Sequence, residues 1–428
     1  MRLNALLDVD VVAVEAEDRV SVLLELAAPT REGVHERPPA TLQVVLDRSG
    51  SMCGGQLAAA KEALKTLIDR LDPSDNFGLV AFDDNVEVIA PAGPLRDKQA
   101  VRRAVEAVDA GATTNLSGGL LRGLQEARRV KDEQGATLVL LSDGHANVGV
   151  TTHDELERIA SGARRAGVTA TTIGLGLGYD EELMAAVARG GAGNARFAEE
   201  PDSAGAALAS EVDGLLDQVV QAASLTVRPT GAVEAVHLFN DLSAMTIDDG
   251  FMVELGDLYS GEERKLLLVV DVPAMAGLGL AQVCELELQW VDIATLDSHT
   301  VTIPVHVNVV PGDQAAGRIP NATVRTELAF QSAQRAKREA ADALRRGDVD
   351  AASRAYDDAG RTLKSFAAEA APAMAAEIDD EAELLLDLSE RARFEDARRM
   401  AKFSEADRHM KERKRGRGAR PPKTDGAR

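Results

Sequence analysis

Three short stretches of this sequence carry oxygen-bearing side chains in patterns that suit a bound cation. Residues 47–51 read Asp-Arg-Ser-Gly-Ser, with an acid and two hydroxyls on alternate positions. Residues 111–117 include two threonines and a serine, and residues 142–144 read Ser-Asp-Gly. Carboxylate and hydroxyl oxygens are the donors that a hard divalent cation such as Mg²⁺ prefers. The chemistry to expect from these residues is therefore metal binding.

The elements around these stretches predict where the side chains lie. Residues 42–46 and 138–141 are short apolar runs, which are typical of buried parallel strands. Apolar residues recur at helical spacing over residues 54–71 and again after residue 115. Open α/β sheets bind their ligands beyond the carboxyl ends of parallel strands. The three stretches are therefore expected to converge at that edge of one sheet.

Together the three stretches resemble the metal-ion-dependent adhesion site of von Willebrand factor type A domains. The pattern of that family is Asp-x-Ser-x-Ser, then a threonine, then an aspartate in a Ser-Asp-Gly context. The resemblance, which covers residues 40–222, implies a set of five metal ligands: Asp47, Ser49, Ser51, Thr114 and Asp143. Thr114 is preferred to Thr113 because it directly precedes Asn115, as in the family loop. The implied ion is Mg²⁺, with Mn²⁺ or Ca²⁺ as alternatives.

The resemblance implies protein binding rather than catalysis. An ion held by hydroxyls and few carboxylates keeps open coordination positions, and an Asp or Glu of a partner protein can fill one of them. Two alternatives remain open, a regulatory partner of an AAA+ ATPase and a metal-dependent hydrolase. For a hydrolase, the acids Asp83 and Asp84 and the histidine His145 are the nearby candidates, but Asp83-Asp84-Asn85 is also a typical hairpin turn.

Composition narrows the function classes. The chain has 428 residues and a formal net charge of −22, which argues against nucleic-acid binding by the body of the protein. Its two cysteines are not a disulfide framework and indicate a reducing compartment. Residues 1–7 lack the pattern of a signal peptide, and no apolar run is long enough to span a membrane. A cytoplasmic protein is therefore expected.

The pattern of strands and helices predicts an α/β fold with a doubly wound, mostly parallel sheet at residues 37–222, ending in a helix from residue 203 to about 222. Residues 9–14 and 20–26 predict an antiparallel hairpin with a turn near residues 17–18, and residues 223–312 predict a further set of strands. An isolated hairpin is marginal in water. We therefore expect residues 1–36 and 223–312 to form one β-sandwich into which the α/β domain is inserted, as in inter-alpha-trypsin inhibitor heavy chains, which the flanking segments resemble.

The last hundred residues predict helices. Residues 320–414 are rich in alanine at helical spacing, with a break at Gly347-Asp348 that predicts a helical hairpin, and a longer helix is expected from Pro372 to about Lys414. The tail, residues 415–428, is basic and contains Pro and Gly, so it is expected to be disordered. The tail is the one segment whose charge suits nucleic acid or anionic lipid.

Overall fold

The structure is a computed structural model, and it describes residues 1–30, 39–53, 55–131, 135–143, 146–176, 179–198, 205, 207–209, 216–242, 244–367, 370 and 372–413. The described elements form a central α/β unit, a two-sheet β unit and a C-terminal helical unit. The predicted fold class is confirmed: a doubly wound, mostly parallel sheet is inserted into a β-sandwich and followed by helices.

The first three strands of the chain belong to the β unit, and the next six form the central sheet. These strands are β1 Arg2–Leu7, β2 Val11–Ala13, β3 Asp18–Ala27, β4 Thr41–Asp47, β5 Asn76–Phe82, β6 Val86–Pro94, β7 Ala136–Ser142, β8 Val168–Leu175 and β9 Ala192–Ala198. The central sheet has the order β6-β5-β4-β7-β8-β9, and β6 is antiparallel while the others are parallel. Every residue of β4 and β7 is buried. Because β4 and β7 are neighbours, the loops that follow them leave the sheet side by side.

Helices cover both faces of the central sheet. They are α1 Gln56–Arg70, α2 Lys98–Glu106, α3 Leu116–Val130, α4 His153–Arg165 and α5 Glu181–Gly190. The apolar sides of α1 and α2 share one core with one face of the sheet, and those of α3, α4 and α5 share the other. Asn115 begins α3 by accepting a hydrogen bond from the Gly118 backbone N–H, and Asp180 begins α5 in the same way. This cap fixes where the threonine-containing loop ends and α3 starts.

Seven later strands complete the β unit: β10 Gln218–Pro229, β11 Ala235–Leu238, β12 Ala244–Ile247, β13 Gly250–Tyr259, β14 Glu263–Val272, β15 Gly279–Asp292 and β16 Ser298–Val310. One sheet has the order β1-β3-β14-β11 and the other the order β12-β13-β10-β15-β16-β2. Buried aliphatic side chains from both sheets form a single core. The N-terminal strands thus share a core with strands that follow the α/β unit; the domain boundaries given above stay a prediction.

Two expectations about the ends of the units are corrected. Residues 11–13 do not form a hairpin with β3, because β2 pairs in parallel with β16 while β1 takes the place beside β3. The expected helix at 203–222 cannot reach residue 222, because β10 begins at Gln218. Residues 203, 204, 206 and 210–215 of that expectation lie outside the described residues.

Asp257 of β13 joins the β unit to the α/β unit. Its carboxylate accepts hydrogen bonds from Arg164 at 3.2 Å, from the Thr169 hydroxyl at 2.7 Å and from the Ala222 backbone N–H at 3.0 Å. Arg164 lies at the end of α4 and Thr169 at the start of β8, so this contact lies at the edge of the sheet opposite the loops that follow β4 and β7.

The C-terminal unit consists of α6 Gly312–Ala316, α7 Ala322–Arg345, α8 Val349–Ala367, α9 Pro372–Arg391 and α10 Ala397–Arg413. The break between α7 and α8 lies at Gly347, as expected, where φ is +80°. The single long helix expected after Pro372 is wrong. The chain turns at residues 392–396, and Asp396 starts a new helix by accepting the Arg399 backbone N–H at 3.0 Å. Residues 415–428 lie outside the described residues.

The C-terminal unit contacts both other units through cations. Arg335 donates to the Phe239 carbonyl at 2.7 Å with its guanidinium 3.6 Å from the centre of that ring, which fixes α7 on the β unit. Lys402 of α10 donates to the Tyr179 carbonyl and lies 3.4 Å from the Glu181 carboxylate. Arg345 binds the same carboxylate at 3.2 Å. The helical unit therefore packs against the loop between β8 and α5.

No helix in the described ranges is both long and apolar enough to cross a membrane.

Candidate metal centre

The loop after β4 is built around the buried carboxylate of Asp47. Its Oδ1 accepts the Ser49 backbone N–H at 2.8 Å, which turns the chain back over the strand end. Its Oδ2 accepts the hydroxyl of Ser142, the last residue of β7, at 2.6 Å. Residues 50–52 then form a single 3₁₀ turn. Asp47 thus ties the ends of two adjacent strands together.

The hydroxyls of this loop reach Asp143, the second acid of the implied ligand set. Ser49 Oγ lies 3.1 Å from Ser51 Oγ, and Ser51 Oγ donates to Asp143 Oδ1 at 2.8 Å. Ser49 and Asp143 are buried, whereas Ser51 is exposed. The structure therefore brings four of the five implied ligands into one connected set of oxygens that opens to solvent at Ser51.

The threonine loop is held against this set by its backbone. The Gly111 N–H donates to the Arg48 carbonyl at 2.6 Å, and the Gly50 N–H donates to the Ala112 carbonyl at 2.9 Å. Thr114 is buried and donates its backbone N–H to Asn147 Oδ1 at 2.9 Å. Thr113 is exposed. The two hydrogen bonds place the loop beside the Ser49 turn, and the burial of Thr114 favours it over its neighbour.

Asp83, a candidate base in the hydrolase alternative, is engaged in contacts that shape the turn between β5 and β6. Its Oδ1 accepts the Asn85 backbone N–H at 2.7 Å, as in a hairpin turn, and its Oδ2 lies 3.3 Å from Arg48 Nε. Arg48 also binds Glu87 at 2.9 Å. Asp84 is exposed on the same turn, and His145 lies outside the described residues.

The electrostatic setting of Asp47 favours a cation. Burial raises the pKa of Asp47, while hydrogen bonds from Ser142 and Ser49 lower it and the nearby Asp83 carboxylate raises it further. A carboxylate whose charge is poorly solvated gains more from a divalent cation than an exposed one does.

Three residues that help to shape the candidate metal centre were not predicted from the sequence. Ser142 was seen only as context for Asp143, yet it donates directly to Asp47. Asn147 holds the threonine loop, and Gln56, the first residue of α1, reaches Asp143. Only Ser142 had a usable signal, namely a hydroxyl at the end of an otherwise apolar strand.

The residues present fit a hard divalent ion. The donor set of Asp47, Asp143 and two hydroxyls contains only oxygen, and it has a buried side and an open side. Oxygen donors without sulfur or imidazole suit Mg²⁺, Mn²⁺ or Ca²⁺, and an open side lets water or a partner's ligand complete the coordination.

Gly111→Ala is expected to destabilise this site. A Cβ at residue 111 would lie 1.7 Å from Asp83 Oδ2, so the carboxylate must leave its place beside Arg48. We expect a loss of about 1–3 kcal/mol in the free energy of unfolding, measured by chemical denaturation. Gly93→Ala is the control, because a Cβ there meets nothing within 4 Å. Equal stability of the two variants would contradict the tight fit at residue 111.

The α/β unit is similar to a known family of domains. Residues 42–210 match the family model described as von Willebrand factor type A domain. The uncharacterized protein sll0103 of Synechocystis sp. is 29% identical over 257 residues, which is 57% of this chain and 60% of that protein. Human inter-alpha-trypsin inhibitor heavy chain H3 is 30% identical over 129 residues, 28% of this chain and 14% of that protein. The chain thus spans less than two thirds of either relative.

The fold is shared over nearly the whole chain with a solved structure. A von Willebrand factor type A protein from Catenulispora acidiphila superposes with a TM-score of 0.70 at 18% identity, over 90% of this chain and 96% of that one. The resemblance stated from the motifs is confirmed, since residues 42–210 match the family model of the von Willebrand factor type A domain.

Proposed function

We propose that this chain is a Mg²⁺-dependent protein-binding scaffold. A partner protein presents an exposed Asp or Glu, and that carboxylate completes the coordination of an ion at Asp47, Ser49, Ser51, Thr114 and Asp143. The observation that supports the proposal is the connected set of oxygens between the ends of β4 and β7, with Ser51 exposed at its open side.

The ion, when bound, supplies an electrophilic centre for a carboxylate ligand. The residues of the chain hold it in position: Asp47 is fixed by Ser142 and by the Ser49 N–H, and Asp143 faces the Ser51 hydroxyl. Because few carboxylates face the ion, its charge is only partly neutralised, and an anionic side chain of a partner is attracted.

We propose binding rather than catalysis because the acids near the site serve other contacts. Asp83 shapes the β5–β6 turn and pairs with Arg48. A general base must instead lie within reach of a substrate proton with its lone pairs available. We further propose that the interaction takes place in the cytoplasm, on the basis of the low cysteine content.

Asp47→Ala is expected to abolish Mg²⁺-dependent binding. Isothermal titration with MgCl₂ measures ion binding directly, and pull-downs from extract in Mg²⁺ or EDTA measure partner retention. The variant removes the carboxylate that joins both strand ends, so both signals should be lost. Asp84→Ala is the matched control, since Asp84 is an exposed acid on the neighbouring turn. Wild-type affinity in Asp47→Ala, or retention that EDTA does not change, would contradict the proposal.

A further inference from the structure

Gln56 lies at the metal centre without being one of its implied ligands. It is the first residue of α1 and is partly exposed. With its amide nitrogen directed at the site, it donates to Asp143 Oδ2 at 2.6 Å and to the Ser51 carbonyl at 3.1 Å. Both partners are acceptors, and this fixes the orientation of the amide. Gln56 therefore bridges the loop after β4 and the loop after β7.

The two oxygens of Asp143 are held by different groups. Oδ1 accepts the Ser51 hydroxyl at 2.8 Å, and Oδ2 accepts the Gln56 amide. Ser51 is also an implied ligand, so Oδ1 is the oxygen that faces the cation position. The amide on Oδ2 fixes the rotation of the carboxylate about its Cβ–Cγ bond and leaves Oδ1 directed at that position.

The surrounding backbone is built to admit this side chain. Gly55, with φ +112°, precedes Gln56 and starts α1 in a left-handed conformation. On the far side of the amide lies Gly176, with φ +73°, where a Cβ would come within 2.2 Å of the amide group of Gln56. The glutamine thus fits between the end of β8 and the metal loop, and a larger residue at 176 would displace it.

We propose that Gln56 is a positioning residue that sets the affinity of the metal centre through Asp143. The inference rests on the proposed function, because it concerns the same ion. An amide that holds a ligand carboxylate acts as an outer partner of the metal, and removing such partners lowers metal affinity about 10–100-fold. A carboxylate in place of the amide faces Asp143 Oδ2 directly, and the two like charges repel unless a cation lies between them.

The two substitutions of Gln56 should therefore act in opposite directions. Gln56→Leu removes the donor to Asp143 and is expected to weaken Mn²⁺ binding about 10-fold or more. Gln56→Glu places an additional negative charge beside Asp143 and is expected to tighten Mn²⁺ binding, since a nearby negative charge attracts the cation. The same variant should melt at a lower temperature than wild type in EDTA and regain stability when Mn²⁺ is added.

The test is a Mn²⁺ titration of the full chain by calorimetry, with thermal unfolding in EDTA and in Mn²⁺. Gln99→Leu is the control, because Gln99 is exposed in the first turn of α2, within the same domain. A merely structural role for Gln56 at the start of α1 would lower the melting temperature equally with and without the ion. A positioning role changes the increase in melting temperature that the ion causes.

Each outcome decides a different point. Weaker binding in Gln56→Leu and tighter binding in Gln56→Glu, with Gln99→Leu at the wild-type value, supports the positioning role. Wild-type affinity in both Gln56 variants overturns that role and leaves the proposed function intact. If the leucine variant does not fold, unchanged affinity in the glutamate variant alone overturns it. A wild-type chain that binds neither Mn²⁺ nor Mg²⁺ overturns the proposed function and this inference together.

Discussion

Replacing Lys337 with methionine is expected to lower the free energy of unfolding by about 3–5 kcal/mol. Lys337 is fully buried in α7, and its ammonium contacts the carboxylates of Glu381 in α9 and Asp407 in α10. Both carboxylates are buried as well. Without the lysine, two negative charges stay buried with less compensation, and the methionine supplies only apolar contact.

Other groups in this cluster show that it is a network. Lys411 binds Asp407 at 2.9 Å and also contacts Glu381, and Gln334 donates to Glu381 at 2.8 Å. Burial alone would raise the pKa of Glu381, but Lys337 and Lys411 outweigh that effect and hold the pKa well below its ordinary value. The charged form of Glu381 is therefore favoured by folding.

The pH dependence follows from the sign of that shift. A carboxyl with a lowered pKa in the folded state stabilises the protein above its unfolded pKa, which is about 4.3 for Glu, and the stabilisation is lost as the pH falls below that value. We expect the melting temperature of the wild type to fall as the pH is lowered from about 4 to about 2, the pKa of Glu381 in the folded state. Glu381→Gln should show a smaller fall.

Denaturant unfolding followed by circular dichroism measures the effect of Lys337→Met. Lys364→Met is the control, because Lys364 is exposed on α8 of the same helical unit. Adding Glu381→Gln and Asp407→Asn to Lys337→Met should restore part of the lost stability, since the unpaired charges are then neutral. If Lys337→Met and Lys364→Met unfold at the same denaturant concentration, the buried lysine contributes nothing to the free energy of unfolding.

Asp257→Ala is the second substitution with a large expected effect, about 3 kcal/mol of lost stability. The carboxylate joins β13 to Arg164 of α4, whose side chain is only 7% exposed, and to Thr169 of β8. Burial alone would raise the pKa of Asp257, but Arg164 and the hydrogen bonds from Ala222 and Thr169 outweigh it and lower that pKa. Without Asp257, the Arg164 guanidinium stays buried beside a small apolar side chain.

Differential scanning calorimetry tests this junction. We expect the α/β unit and the β unit of the wild type to unfold in one cooperative transition. In Asp257→Ala, we expect the α/β unit to unfold in a separate transition at a lower temperature. Asp248→Ala is the control, since Asp248 is an exposed acid on the β12–β13 turn. A single transition at the wild-type temperature in Asp257→Ala would exclude a role for this contact in joining the two units.

Local patterns predicted most of the α/β unit. Apolar runs and helical spacing are short-range signals, so β4, β7 and α1 appear close to where the sequence indicates them. Asp47, Ser49, Ser51 and Asp143 come together because parallel strands end at a common edge. The metal-binding role of these residues stays a prediction.

The features that could not be predicted from the sequence depend on contacts between distant segments. β2 pairs with β16, so that Val11 lies beside Asn308, and a three-residue strand shows no alternation that could reveal this pairing. The strands β11 and β12 have four residues each, so a period of two is hard to detect. Gln56 is one polar residue at a helix start, and its contact with Asp143 depends on how the loops after β4, β7 and β8 lie in the fold. The turn before α10 did have a signal, since Asp396 is a favoured cap residue.

The interleaved order of the strands constrains how the chain can fold during synthesis. β3 pairs with β14 and β2 with β16, so the first sandwich strands leave the ribosome long before their partners exist. All six strands of the central sheet are made in between. Domains generally fold as units in N-terminal to C-terminal order. The α/β unit is therefore expected to be complete while β3, already able to pair with β1, still lacks β14 and β2 still lacks β16. These unpaired strand edges are expected to be the part of the nascent chain most in need of a chaperone.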